Sequence, residues 1–173
     1  MTNARGILVG GGLANVLIAL KLHAERPDSP MLVLEQGPTL GANHTWSFHE
    51  TDLTPAQRAW IAPLVIASWP RQEVRFPSGR RVLETGYASV SSERLHAVAM
   101  ELIGPSVRLN CPVSDVQPNG VTMADGATLE VPLVIDGRGA LQEQPLALGF
   151  QKFVGLEIET DGPHGQAHPI SMD

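Results

Sequence analysis

Two features of this 173-residue chain can do chemistry together: the triplet Gly10-Gly11-Gly12 and the acid Glu35. A glycine turn just ahead of a helix gathers backbone N–H groups at the positive end of the helix dipole, which favours an anion. Glycine also lets the backbone approach a ligand that a Cβ would push away. A pyrophosphate is the natural guest, held on the N–H groups of Gly11, Gly12, Leu13 and Ala14. An acid about 20 residues further on, at the end of the next strand, accepts hydrogen bonds from a ribose hydroxyl. Glu35 is that acid. Gly10 and Gly12 fill the first two places of a G-x-G-x-x-G fingerprint. Asn15 stands where the third glycine is expected, which predicts looser packing of helix on strand. Further along, His44, His49, Glu50 and Asp52 supply local groups suited to acid–base work.

These residues need a βαβ unit to hold them. Ile7-Leu8-Val9 reads as a strand, and Leu13 to Leu20 opens a helix that stops near Arg26-Pro27. Met31-Leu32-Val33-Leu34 has the length and composition of a buried parallel strand. A glycine turn that merely joins strand to helix is the bland alternative. A secretory leader is another, with Arg5 as its charge, but three glycines interrupt the apolar run. That run is also shorter than the ~18 apolar residues of a membrane span.

Downstream, Thr54-Pro55 predicts an N-cap and first helical position, with a helix to about Ala62. Glu73 to Phe76 and Arg81 to Leu83 predict a hairpin across Pro77-Ser78-Gly79. Ser91 or Ser92 caps a helix from Glu93 to Ile103, with Leu95, Val98, Ala99 and Leu102 as its apolar face. Pro112 to Glu130 reads as a β-meander with turns at Asn119-Gly120 and Asp125-Gly126. Leu133-Val134-Ile135 reads as a buried strand leaving through Asp136-Gly137-Arg138-Gly139. Val154, Leu156 and Ile158 alternate with polar residues, as in a half-exposed strand opening an antiparallel sheet. Asn43 to Glu50 shows no clear period. Trp60, Ile61, Leu64, Val65 and Trp69 form an apolar patch, read either as core or as a membrane-facing surface.

The net charge is −6 without a basic cluster, which excludes nucleic acid as an expected partner. The single cysteine, Cys111, cannot form an internal disulfide, and no Cys/His spacing predicts a metal site. This composition fits a reducing cytoplasm.

The order βαβ, helix, meander and a strand ending in Asp-Gly resembles the FAD domain of flavoprotein monooxygenases and reductases. Rarer blocks narrow the resemblance. They are Val9 to Asn15, Asn43-His44-Thr45-Trp46-Ser47-Phe48-His49, Gly86-Tyr87-Ala88-Ser89, Ile135-Asp136-Gly137-Arg138-Gly139, and Leu148-Gly149-Phe150-Gln151-Lys152-Phe153-Val154-Gly155. Together they resemble the bacterial lycopene β-cyclases across the whole chain.

That resemblance implies an α/β fold: a Rossmann-like FAD-binding domain over residues 1–145, with a parallel sheet and a β-meander. Segment 45–90 would face the substrate domain, and 146–173 would begin an incomplete antiparallel-sheet substrate domain. Relatives are about twice as long, so the chain resembles an N-terminal part, inactive alone, with its catalytic acid expected beyond residue 173. Within it, Glu50 and His44 are the local catalytic candidates. Cofactor contacts implied by the resemblance add Arg94 at a helix start, the Val113 backbone at the adenine, and Asp136-Gly137 as a second flavin motif. The implied activity is redox-neutral cyclisation of lycopene, or a similar lipophilic polyene, to β-ionone rings. An acid protonates the terminal double bond, a neighbouring double bond attacks the cation, and a base removes a ring proton. Reduced FAD would supply negative charge near the cation, with NAD(P)H as the donor of its electrons. A cytoplasmic protein peripheral to the inner membrane face follows from so apolar a substrate. A related FAD-dependent hydroxylase or double-bond reductase is the alternative.

Overall fold

The computed structural model describes residues 4–139, 155–156 and 158–172. β1 (Gly6–Val9), α1 (Leu13–Glu25) and β2 (Met31–Leu34) form the opening unit. After a loop come β3 (Thr45–His49), α2 (Pro55–Ile61) and β4 (Ala67–Trp69), then the hairpin β5 (Gln72–Phe76) and β6 (Gly79–Leu83). β7 (Tyr87–Ser91) leads directly into α3 (Ser92–Ile103) and the short β8 (Val107–Arg108). β9 (Val113–Gln117), β10 (Gly120–Met123) and β11 (Thr128–Glu130) make the meander, followed by β12 (Val134–Asp136) and, far downstream, β13 (Ile170–Met172).

The central sheet is parallel, in the order β12-β1-β2-β8. Every residue of β1 and β2 is buried. Strands covered on both faces need unbroken apolar runs, which is why neither strand alternates. Their pleat still divides the core. Leu8 and Val33 point to one side, where Val16 and Leu20 of α1 meet Leu95 and Ala99 of α3. Ile7, Val9, Leu32 and Leu34 point to the other, against Val121 and Val131 of the meander region. The result is three layers: helices, parallel sheet, meander. Leu8, Val16 and Leu95 are wholly buried, each worth about 1.5–3 kcal/mol relative to exposure.

The caps form as their residues predict. The Thr54 hydroxyl accepts from the Gln57 N–H at 3.3 Å, and the Gln57 side chain accepts from the Thr54 N–H at 2.8 Å. Ser91 accepts from the Arg94 N–H at 3.2 Å to start α3.

Several expectations need correction. The aperiodic stretch after Asn43 contains a strand, β3, antiparallel to β7, which also pairs with β4. On α3 the last turn buries Ile103 and leaves Leu102 51% exposed, because the buried stripe runs Leu95, Ala99, Ile103 at four-residue steps. β12 is an edge strand, so Leu133 beside it is 46% exposed rather than buried. The alternating strand at Val154 to Ile158 is not formed by the described residues Gly155, Leu156 and Ile158; Val154 lies outside them. The strand that does join from this region is β13, and it pairs with β5 in parallel, not antiparallel. In the apolar patch, Leu64 is buried and Trp60 and Val65 pack against the core.

Candidate functional site

A cavity of about 460 Å³ opens beyond the C-terminal ends of β1 and β2. Ligands of open parallel sheets bind at this end, outside the strand carboxyl termini. Its walls include Gly10, Gly11, Gly12, Glu35, His44 and Val113. Gly137, Arg138 and Cys111 complete its far side.

The glycine turn is built as a cradle. Gly10 has φ +92°, a conformation an L side chain rarely adopts. A Cβ on Gly12 would point into open space, so that place is free for a ligand. The 13-residue α1 has no side-chain cap at Gly12. No acceptor among the described residues takes the N–H of Gly12, Leu13 or Ala14. Leu13 and Ala14 do not themselves line the cavity; their contribution is these N–H groups.

Gly11 differs from its neighbours. Its N–H donates to Glu35 Oε2 at 2.6 Å, and the Gly37 N–H donates to Glu35 Oε1 at 2.7 Å. The Gly11 N–H is therefore spoken for, which takes it out of the anion-binding set. Each Glu35 oxygen keeps a lone pair for a ribose hydroxyl. A Cβ on Gly11 would overlap Leu40 and press on Glu35. Leu40 is fully buried, and Gly41 follows with its N–H on the Gly11 carbonyl at 2.8 Å. The loop 37–42 is thus part of the site. Its sequence signal was the cluster Gly37-Pro38-Thr39-Leu40-Gly41.

Across the cavity, Asp136 ends β12. Arg138 grips it with Nε at 2.9 Å and Nη2 at 2.8 Å, and Nη1 donates to the Val113 carbonyl at 3.0 Å. This guanidinium holds the Asp136 carboxyl below the usual carboxylate range. Arg138 was not among the expected site residues, although an acid and a base two apart at a strand end share a side. It occupies the carbonyl of Val113, the residue whose backbone the resemblance places at the adenine, and Asp136 itself is not among the residues lining the cavity.

The remaining candidates separate. His44 lines the cavity, tied by backbone hydrogen bonds to Ser92, with its ring 5.6 Å from Trp46. Glu50 lines a different, apolar cavity of about 280 Å³ with Phe48, Ile61 and Val65, and its Oε2 meets Arg58 Nη1 at 3.3 Å. Arg94 is exposed, and its Nε donates to the Pro63 carbonyl at 2.7 Å. His49 faces Asp52 at 3.7 Å and contacts the buried Gln72 amide. The described residues hold no cluster of three or more metal-binding side chains.

Comparison with known proteins follows this geometry. The family model described as "Lycopene cyclase protein" matches residues 7–173. A protein named "Lycopene beta-cyclase" from Pseudescherichia vulneris is 49% identical over 167 residues, covering 96% of this chain and 43% of the relative. Another of that name from Pantoea ananas is 45% identical over 96% of this chain and 44% of the relative. The chain thus spans less than half the length of these curated relatives. Among solved structures, 2-methyl-3-hydroxypyridine-5-carboxylic acid oxygenase matches with TM-score 0.60 and 15% identity, over 78% of this chain and 39% of that one. The p-nitrophenol 4-monooxygenase PnpA from Pseudomonas putida matches with TM-score 0.57 and 21% identity, over 79% and 40%. These two establish the fold class; the sequence matches establish that this chain belongs to the lycopene cyclase family.

Proposed function

We propose that this chain is the cofactor-binding part of an FAD-dependent, redox-neutral lycopene β-cyclase. The observation that carries the reading is one cavity lined both by Gly12, at the uncapped start of α1, and by Glu35. The residues fit a dinucleotide: a cradle that a Cβ would fill, a helix N-terminus for the pyrophosphate, and an acid for the ribose. Gly12, Leu13 and Ala14 hold the pyrophosphate, Glu35 the ribose, and Gly10, Gly137 and Val113 the walls. Bound reduced flavin supplies negative charge beside a carbocation, with NAD(P)H as the source of its electrons. Residues 1–145 form the FAD-binding domain and 146–173 the start of the substrate domain.

The substrate is lycopene or a polyene like it. Glu50 pairs with Arg58 at a different cavity and His44 lines this one, while the family resemblance puts the cyclising acid beyond residue 173. Among the described residues no helix is long and apolar enough to cross a membrane. We infer contact with the inner membrane face at the tip of the β5–β6 hairpin, where Phe76 is 54% exposed, with Arg81 on the same face and Arg80 on the other.

The test is expression, in lycopene-accumulating bacteria, of the full-length gene of which this chain is the cofactor-binding part. Conversion to β-carotene supports the reading. A hydroxylated or saturated product replaces it with the FAD-dependent oxidoreductase alternative, and unchanged lycopene removes it.

A further inference from the structure

Asn15 occupies the place of the third fingerprint glycine, yet it does not loosen the turn. It is only 3% exposed, one of few buried polar residues. Its Nδ2 donates to the Val9 carbonyl at 2.9 Å and to the Gly10 carbonyl at 2.8 Å. The Val9 carbonyl also accepts from the Gly137 N–H at 2.8 Å. Asn15 therefore sits at the junction of the glycine turn after β1 and the Asp-Gly turn after β12.

Two consequences follow from this placement. The Gly10 carbonyl and the Gly11 N–H belong to one planar peptide and point in opposite directions. Asn15 holds one end of that plane, and Glu35 holds the other. The amide thus orients the peptide that in turn orients the ribose-binding acid. On its other side, the amide lies against Gly137, where a Cβ would stand 2.5 Å from Nδ2 and 2.9 Å from Cγ. A glycine at position 15 would leave that space open and the Gly10 carbonyl without its donor.

We propose that Asn15 is a positioning residue that locks the two cofactor-facing turns together, and that it is the reason position 137 must be glycine. This rests on the cavity being the FAD site. It predicts that restoring the G-x-G-x-x-G fingerprint with Asn15→Gly weakens cofactor binding.

The experiment uses the full chain as wild type, Asn15→Gly, Gly137→Ala and the double variant. Each is titrated with FAD, and with ADP, which carries the ribose and pyrophosphate alone. Each is also melted without ligand. Asn15→Gly removes one buried and one partly buried hydrogen bond, so Kd for both ligands is expected to rise about tenfold or more. Asn15→Asp, which keeps the shape and loses the donor, is expected to follow it. Gly137→Ala is expected to bind poorly, and the double variant to bind more tightly than Gly137→Ala alone, because its clash partner is gone. Asn15→Gly binding as tightly as wild type would overturn the proposal, as would strictly additive effects in the double variant. If Gly137→Ala fails to fold, recovery of a folded double variant supports the proposal, and an unfolded double variant refutes it. Absence of FAD binding by the wild type strikes the cofactor reading alone, since the coupling is still read in the four melting temperatures.

Discussion

Glu35→Gln tests the site at its most sensitive bond pair. The carboxylate receives the Gly11 N–H at 2.6 Å and the Gly37 N–H at 2.7 Å. Both bonds are charge-assisted, a class worth about 1.5–3 kcal/mol each. Glutamine keeps one carbonyl oxygen, so one bond survives in neutral form, worth about 1 kcal/mol. Its NH₂ group then faces the other backbone N–H, donor against donor, and that bond is lost. The expected loss is about 2–5 kcal/mol before any ligand is present. In a protein of this size each kcal/mol lowers the melting temperature by about 2–4 °C. The ligand-free melting temperature should therefore fall by about 4–20 °C in differential scanning fluorimetry. FAD affinity should fall further, by about 10–100-fold, because the ribose also loses an ionised acceptor. Asp cannot rescue, since the shorter side chain does not reach both amides. A Glu35→Gln protein melting within about 2 °C of wild type, with unchanged FAD affinity, would refute the reasoning.

Other outcomes follow from the same geometry. Gly11→Ala drives a Cβ into Leu40 and Glu35, an overpacking cost of about 1–3 kcal/mol, read as a lower denaturation midpoint and weaker FAD binding. Arg94→Ala, at a residue that does not line the cavity and donates to the Pro63 carbonyl, should change FAD affinity less than about threefold by fluorescence titration. Asp136 is held below its ordinary value, so its contribution is present above about pH 4 and is lost as pH falls through the lower folded value. Arg138→Ala should return Asp136 toward an ordinary carboxylate titration, visible by NMR, at a stability cost of about 0.5–1 kcal/mol for this solvent-screened pair. Phe76→Ser with Arg80→Ser and Arg81→Ser should abolish co-sedimentation with anionic vesicles while leaving FAD binding intact; undiminished sedimentation would move the membrane contact elsewhere.

The opening unit was legible because each local signal agreed with the next. An unbroken apolar strand, a glycine turn and a second apolar strand ending in an acid leave few alternatives, and the caps at Thr54 and Ser91 are read from single side chains. What escaped reading depended on partners distant in sequence. β3 is only partly covered and β7 is buried at three consecutive residues, so their pairing, Thr45 with Ser91 through His49 with Tyr87, leaves no clean alternation in either segment. Leu102 and Ile103 differ in burial only because of where α1 lies. Asn15 looked like a defect because a fingerprint counts glycines, whereas the fold counts donors. Arg138 was passed over because its carbonyl partner, Val113, is 25 residues away.

The pairing of β13 with β5 has a consequence for how the chain acquires its structure. Ile170 lies beside Glu73, so α3, two strands of the parallel sheet (β8 and β12) and the meander intervene between two strands of one small sheet. Closing so long a loop costs entropy before any hydrogen bond compensates it, which makes this contact a late one in folding. The β5–β6 hairpin, with only Pro77 and Ser78 between its strands, forms early by comparison. During synthesis, then, the nucleotide-binding core can assemble while β5 still presents an open edge. Such an edge is a template for pairing with another chain. Chains ending before Ile170 accordingly leave the β5 edge unpaired, and the arrival of β13 is what covers it.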